Sequence, residues 1–160
     1  MRYETAREAI AAGESQSVEF KQRLSSDRQL AKALSALANS GGGWLVVGVS
    51  DSGVLVGLAD AEVDVTSDRM LSTAEFSIEP PVSVAIESVN AYGKTAIAAR
   101  IPDSPDKPHF ILVDGVRDGV FVRSNAASVP AGVDMVKALR SRWTGATHPI
   151  ALGKIERIWV

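Results

Sequence analysis

The sequence predicts a single α+β domain, a mixed and largely antiparallel sheet with flanking helices. Three observations carry this. A chain of 160 residues has the length of one domain. Helical and strand periodicities interleave along it. In the middle, short strand-like segments are joined by turn residues, so hairpins rather than long crossovers build the sheet. Hydrophobic residues make up 46% of the chain, enough to fill a core.

Residues 4–12 read as a short helix closed by Gly13. Residues 17–21 alternate, which puts Val18 and Phe20 on one face and Ser17, Glu19 and Lys21 on the other. Asp27 reads as an N-cap, and Leu30, Leu34, Leu37 and Ala38 follow at helical spacing up to the stop Asn39-Ser40-Gly41. Residues 44–49 form a buried strand, Asp51-Ser52-Gly53 a turn, and 54–56 a strand that pairs back. A helix is expected over 62–76, stopping before Pro80-Pro81. Strands over 82–89 and 95–101 flank a turn at 90–94, and the proline-rich stretch 102–108 is a stiff loop. A second hairpin is expected between 110–113 and 120–123 across 114–119. Ser128 with Pro130 starts the last helix, whose apolar stripe is Val136, Leu139 and Trp143. The domain is thus expected over 1–143, with 144–160 a tail holding a strand at 155–160 or a dimer contact.

Composition removes several function classes. Without cysteine there is no disulfide scaffold, thiol nucleophile, cysteine-ligated zinc or iron–sulfur site, and the chain suits a reducing compartment. The N-terminus has no signal-peptide pattern, and the longest apolar run, 44–49, is far too short for a bilayer. A cytoplasmic protein without a membrane is therefore expected. Residues 1–80 carry 7 Lys+Arg against 12 Asp+Glu, and residues 81–160 carry 10 against 7. With a net charge of −2, any nucleic-acid site must be a local patch, because bulk attraction needs a basic chain.

Gly41-Gly42-Gly43 does not suit a phosphate loop, since a helix precedes it, a strand follows it and no lysine closes it. A helix stop with close backbone approach explains it better. Glu14, Glu19 and Asp51 flank the first and second strands. If those strands are neighbours, the three carboxylates converge and can bind Mg²⁺ or Mn²⁺, which activates water beside a phosphate. Their plain alternative is a solvated strand acid, a turn-former and a loop acid. Lys21, Arg23, Lys107, His109 and Arg123 are candidate phosphate partners, or equally local partners of the acids. His109 beside Pro108 has the setting of a packed loop histidine, and His148 in the tail is uninformative. Trp143 and Trp159 are either base-stacking or docking residues. No nucleophilic triad can be assembled from two histidines without visible partners.

These segments resemble a known family. Gly13-Glu14-Ser15-Gln16-Ser17-Val18-Glu19-Phe20-Lys21 is similar to the opening of the Schlafen AlbA-type domain. Ala38-Asn39-Ser40-Gly41-Gly42-Gly43, then Leu45-Val46-Val47-Gly48-Val49 and Asp51-Ser52-Gly53, resemble its central segment, which Gly57-Leu58 continues. Ile101-Pro102, Pro108-His109-Phe110 and Val120-Phe121-Val122-Arg123-Ser124 resemble its later pieces. The matches are collinear and cover roughly residues 13–140.

The resemblance implies an α+β module that binds DNA in bacterial proteins, often fused to regulatory parts. An ATP-binding role given to some members does not suit a chain without a phosphate loop. In animal relatives, paired copies cut structured RNA with three carboxylates and a divalent metal, and Glu14, Glu19 and Asp51 stand at the matching positions. This chain departs in having one copy, no zinc-binding cysteines, an acidic pI of about 5.7, and Ser124-Asn125-Ala126 in place of a Gly-Ser-Ser-like turn. A two-lobed clamp would need a homodimer. The expected function is therefore nucleic-acid binding, DNA or RNA. The alternatives are a metal-dependent endoribonuclease and a regulatory domain that binds a nucleotide or a protein.

Overall fold

The computed structural model describes residues 3–144, with side chains through residue 141. The tail strand expected at 155–160, His148, Trp159 and the side chain of Trp143 lie outside the described residues.

The chain opens with α1 (Ala6–Ala12), whose N-cap Thr5 accepts from the Glu8 N–H. Next come β1 (Val18–Lys21) and α2 (Asp27–Asn39). Ser26 rather than Asp27 caps α2, accepting from the Gln29 N–H at 3.1 Å, while Asp27 sits in the first turn, where its charge favours the helix N-terminus. Strand β2 (Gly43–Val47) is buried at every residue. After α3 (Asp60–Phe76) come β3 (Ile78–Glu79), β4 (Ala85–Ala91) and β5 (Lys94–Ile101). The chain then forms β6 (Phe110–Ile111), α4 (Gly115–Asp118), β7 (Phe121–Ser124), β8 (Ala127–Pro130) and α5 (Val133–Thr144).

The main sheet has the order β1-β2-β5-β4, with β1 parallel to β2 and the other pairs antiparallel. Alternation along the strands splits the core in two. Val18, Phe20, Trp44, Val46, Ala96 and Ala98 pack with Ala6 and Ala9 of α1. Leu45, Val47, Ile97 and Ala99 face the other way, with Leu30, Leu34 and Leu37 of α2 and Met70 of α3. Val18 and Phe20 are buried and Glu19 and Lys21 half-buried, as the alternation predicts.

The glycine run stops α2 and admits close packing. The Gly42 N–H returns to the Leu37 carbonyl at 2.8 Å. A Cβ on Gly42 would lie 2.5 Å from the Ile101 carbonyl oxygen, and one on Gly43 would overlap the Ser17 carbonyl oxygen. This space lets β1 and the end of β5 meet β2.

Residues 54–56 turn back on 48–50 as expected, through the antiparallel bridge Val49 to Leu55 and the bonds from the Ser50 N–H to the Val54 carbonyl and from the Val56 N–H to the Gly48 carbonyl, both 2.9 Å. Two further expectations change. Residues 110–113 and 120–123 do not pair with each other. β6 pairs with β3, and β7 turns back on β8, because α4 occupies the connection and Asn125, at φ 53°, makes the tight turn instead. Ser128 and Pro130 therefore belong to a strand, and the last helix starts at Val133. Pro130 is tolerated because it ends a strand that pairs on one side.

Candidate functional site

Strand β1 is an edge of the sheet, and its outward polar face is organised by one buried cation. The Arg123 side chain is 0% exposed. Its Nη1 donates to Glu19 Oε1 at 2.6 Å and to Ser128 Oγ at 3.2 Å. Its Nε donates to the Gln16 carbonyl, and Nη2 to those of Ser15 and Val18. The backbone of Arg123 is fixed too, its N–H by Ser40 Oγ at 2.9 Å and its carbonyl by the Gln16 amide at 3.0 Å. A planar guanidinium suits this role, because it presents several donors in a rigid fork.

Beside this pair lies a cleft of about 190 Å³, lined by Glu19, Lys21, Gln29, Lys32, Ala33 and Ser128. Lys21 Nζ is 3.6 Å from Glu19 Oε2. Lys32 Nζ stands 5.1 Å from the centre of the Phe121 ring, within cation–π range. The charges can be counted. Glu19 is cancelled from beneath by Arg123, so Lys21 and Lys32 leave the cleft with a net positive charge of two. Gln29 and Ser128 add uncharged hydrogen-bonding groups. A larger cavity of about 430 Å³ between α4 and α5 includes Val116, Val133 and Val136. Its walls are mostly apolar, whereas the smaller cleft gathers two lysines beside polar side chains.

The predicted residues fall as follows. Arg123 is spent on internal bonds and cannot meet a phosphate, so its place in the expected basic patch is corrected. Arg23 pairs with Glu62 at 3.0 Å, which holds the Glu62 carboxyl below its ordinary range and the guanidinium above its own. Lys107 pairs with Asp103 at 2.5 Å. Lys21 alone of the five lines the cleft.

The carboxylates separate as well. Glu14 Oε1 accepts from the Phe20 N–H at 2.9 Å and so covers a donor of the edge strand. Glu19 is bound to Arg123 and Lys21, and Asp51 is exposed in the turn after β2. Among the described residues, no group of three or more acidic or histidine side chains is placed to hold a metal ion. A carboxylate already neutralised by two cations is a poor ligand for Mg²⁺ or Mn²⁺, so this arrangement does not fit the expected centre.

His109 is buried and serves packing. Its N–H donates to Asn39 Oδ1 at 2.8 Å, and its Nδ1 lies 2.6 Å from the Pro80 carbonyl. A carbonyl only accepts, so Nδ1 carries the proton and Nε2 accepts from the Ser104 hydroxyl at 2.5 Å. Burial pushes the imidazole below its ordinary pKa. The unfolded chain therefore binds a proton below about pH 6.5 that the folded chain refuses, and stability falls as pH drops through that value. We expect the melting temperature of the wild type to fall from pH 7.5 to 5.5 more steeply than that of His109→Gln. Parallel curves would remove His109 as the cause.

The sequence reading missed Lys32, Gln29 and Ser128 as cleft residues. Lys32 left a signal, since it is the one charge between Arg28 and Asn39, inside a run that is otherwise buried. Gln29 and Ser128 left none, because their position depends on β8 folding over α2.

Comparisons with known proteins agree on the fold. A family model described as Schlafen, AlbA_2 matches residues 14–132. No curated protein matches the chain. Among solved structures, the DIP2311 protein from Corynebacterium diphtheriae is similar at a TM-score of 0.55 and 18% identity, over 79% of this chain. This chain spans only 24% of that one. The N-terminal domain of a protein related to the ATP-dependent DNA helicase RecG, from Nitrosomonas europaea, gives a TM-score of 0.57 at 20% identity. That match covers 82% of this chain and 95% of the other. No helix among the described residues is long and apolar enough to cross a membrane.

Proposed function

The chain belongs to the Schlafen AlbA_2 family, and from that premise we propose that it binds nucleic acid, holding phosphate in the cleft between β1, α2 and β8. One observation carries this: buried Arg123 cancels Glu19, so Lys21 and Lys32 face the cleft without an opposing charge of equal size. The structural likeness to a RecG-related domain supports the same direction. Binding rather than cutting is favoured because Glu14 and Glu19 are committed to the Phe20 N–H and to Arg123, and no group of three acidic side chains among the described residues is placed to hold a metal ion. The exposed apolar side chains Phe76, Leu112 and Val113, around a cleft of about 180 Å³, support a homodimer. The absence of cysteine supports a cytoplasmic setting.

Two lysines displace few counterions. The slope of log affinity against log salt is expected at about −1.8 on duplex DNA and about −1.4 on single strands. Lys21→Ala and Lys32→Ala should each reduce the duplex slope by about 0.9. Titration of labelled tRNA, single-stranded and duplex DNA at several salt concentrations measures this. An unchanged slope in the double variant overturns the site. The same mixtures with Mn²⁺ and with EDTA, run on a denaturing gel, separate binding from cutting. Substrate loss that requires Mn²⁺ would overturn binding alone.

A further inference from the structure

We infer that the cleft recognises a terminal phosphate, the phosphomonoester at a strand end, in preference to the diesters along a strand. This rests on the nucleic-acid reading above and narrows it to a chemical class. The first observation is size. The cleft is a local depression of about 190 Å³ with two lysines in its wall, not a long groove that follows several backbone phosphates.

The second is charge. Lys21 and Lys32 leave a net charge of two, whereas a diester carries one negative charge and a terminal phosphate close to two at neutral pH. The third is what surrounds the cleft. Arg23 is paired with Glu62, Arg28 with Asp114 at 2.8 Å, and Arg69 with Asp27 at 2.9 Å. These flanking cations already have carboxylate partners, so a strand running out of the cleft meets surface with little net charge. Its second and third phosphates gain little, and the one phosphate inside must supply the binding. That favours the phosphate with the larger charge and the freer approach.

Gln29, on α2 beside Lys32, suits the same ligand, since a monoester has three terminal oxygens to be bonded and the two ammonium groups need not satisfy all of them. Glu19, still 13% exposed, sets a limit, because it repels any phosphate that sits toward Arg123. The ligand is therefore held on the α2 side of the cleft, by Lys32.

The test is fluorescence anisotropy with one short single strand in three forms: 5′-phosphorylated, 3′-phosphorylated and hydroxyl-ended. Each is titrated with the wild type and with Lys32→Ala at low salt. A phosphorylated end should bind about fivefold tighter than the hydroxyl-ended strand. The ratio should fall close to one in Lys32→Ala. Preference for one end only supports the inference and assigns its polarity. Equal affinity of all three strands for the wild type overturns the inference and leaves nucleic-acid binding standing. If no strand binds at all, the underlying nucleic-acid reading has failed as well.

Discussion

Arg123→Ala is expected to lower the unfolding free energy by about 3–5 kcal/mol, because it strands a partner of a buried ion pair. The guanidinium is fully enclosed and serves Glu19, Ser128 and the carbonyls of Ser15, Gln16 and Val18 at once. Its removal leaves a carboxylate beside a cavity and takes a donor from three carbonyls; those of Ser15 and Val18 each keep a backbone bond, so the stranded carboxylate is the larger cost. In a chain of this size the loss corresponds to a fall of roughly 10 °C in melting temperature. Arg123→Lys should recover only part of it, since one ammonium cannot reach acceptors on both sides of the fork. Glu19→Gln should fall between, keeping an acceptor for Arg123 but removing its counter-charge. Chemical denaturation of the three variants measures the series. A cost below about 1 kcal/mol for Arg123→Ala would mean that the pair is not what holds β1.

The second large effect is expected at Asn39. Its side chain is buried at the end of α2 and bridges three chain segments. The amide donates to the carbonyls of His109 at 3.0 Å and Phe121 at 2.9 Å, and its oxygen accepts from the His109 N–H at 2.8 Å. Asn39→Ala orphans three buried backbone groups, for a loss of about 4 kcal/mol. Asn39→Asp should be no milder, because a carboxylate accepts but cannot donate and would face two carbonyl oxygens. Amide hydrogen exchange at His109 and Phe121 should rise in both variants before global unfolding. Unchanged protection there would show that the bridge is dispensable.

Much of this architecture was legible because it is periodic. The alternation of Val18 and Phe20 with Glu19 and Lys21, and the spacing of Leu30, Leu34 and Leu37, each repeat over a few residues and report which side is buried. The family signature carried the order of segments. Strand partners were less readable. Phe110 and Ile111 pair with Ile78 and Glu79, a choice made by packing rather than by local pattern. The candidate site was the least legible. Charge type picked out Glu14, Glu19, Lys107 and Arg123 as chemistry, yet whether a charge faces solvent or a partner depends on residues far along the chain. Arg123 and Glu19 are 104 positions apart, and nothing near either reveals the other.

That separation also sets an order of events during synthesis. Ribosomes deliver the chain from its N-terminus, so β1 and its Glu19 emerge long before Arg123 exists to neutralise them. Until then the first strand can sit beside β2 only by keeping a carboxylate wet, which holds that edge open. Helix α2 and the hairpin of β4 and β5 depend on near neighbours and can form early. The edge closes when β7 arrives. A nascent chain cut short before residue 123 should therefore leave its first strand accessible to proteases, and the cleft beside β1 is finished only once β7 and β8 have been made.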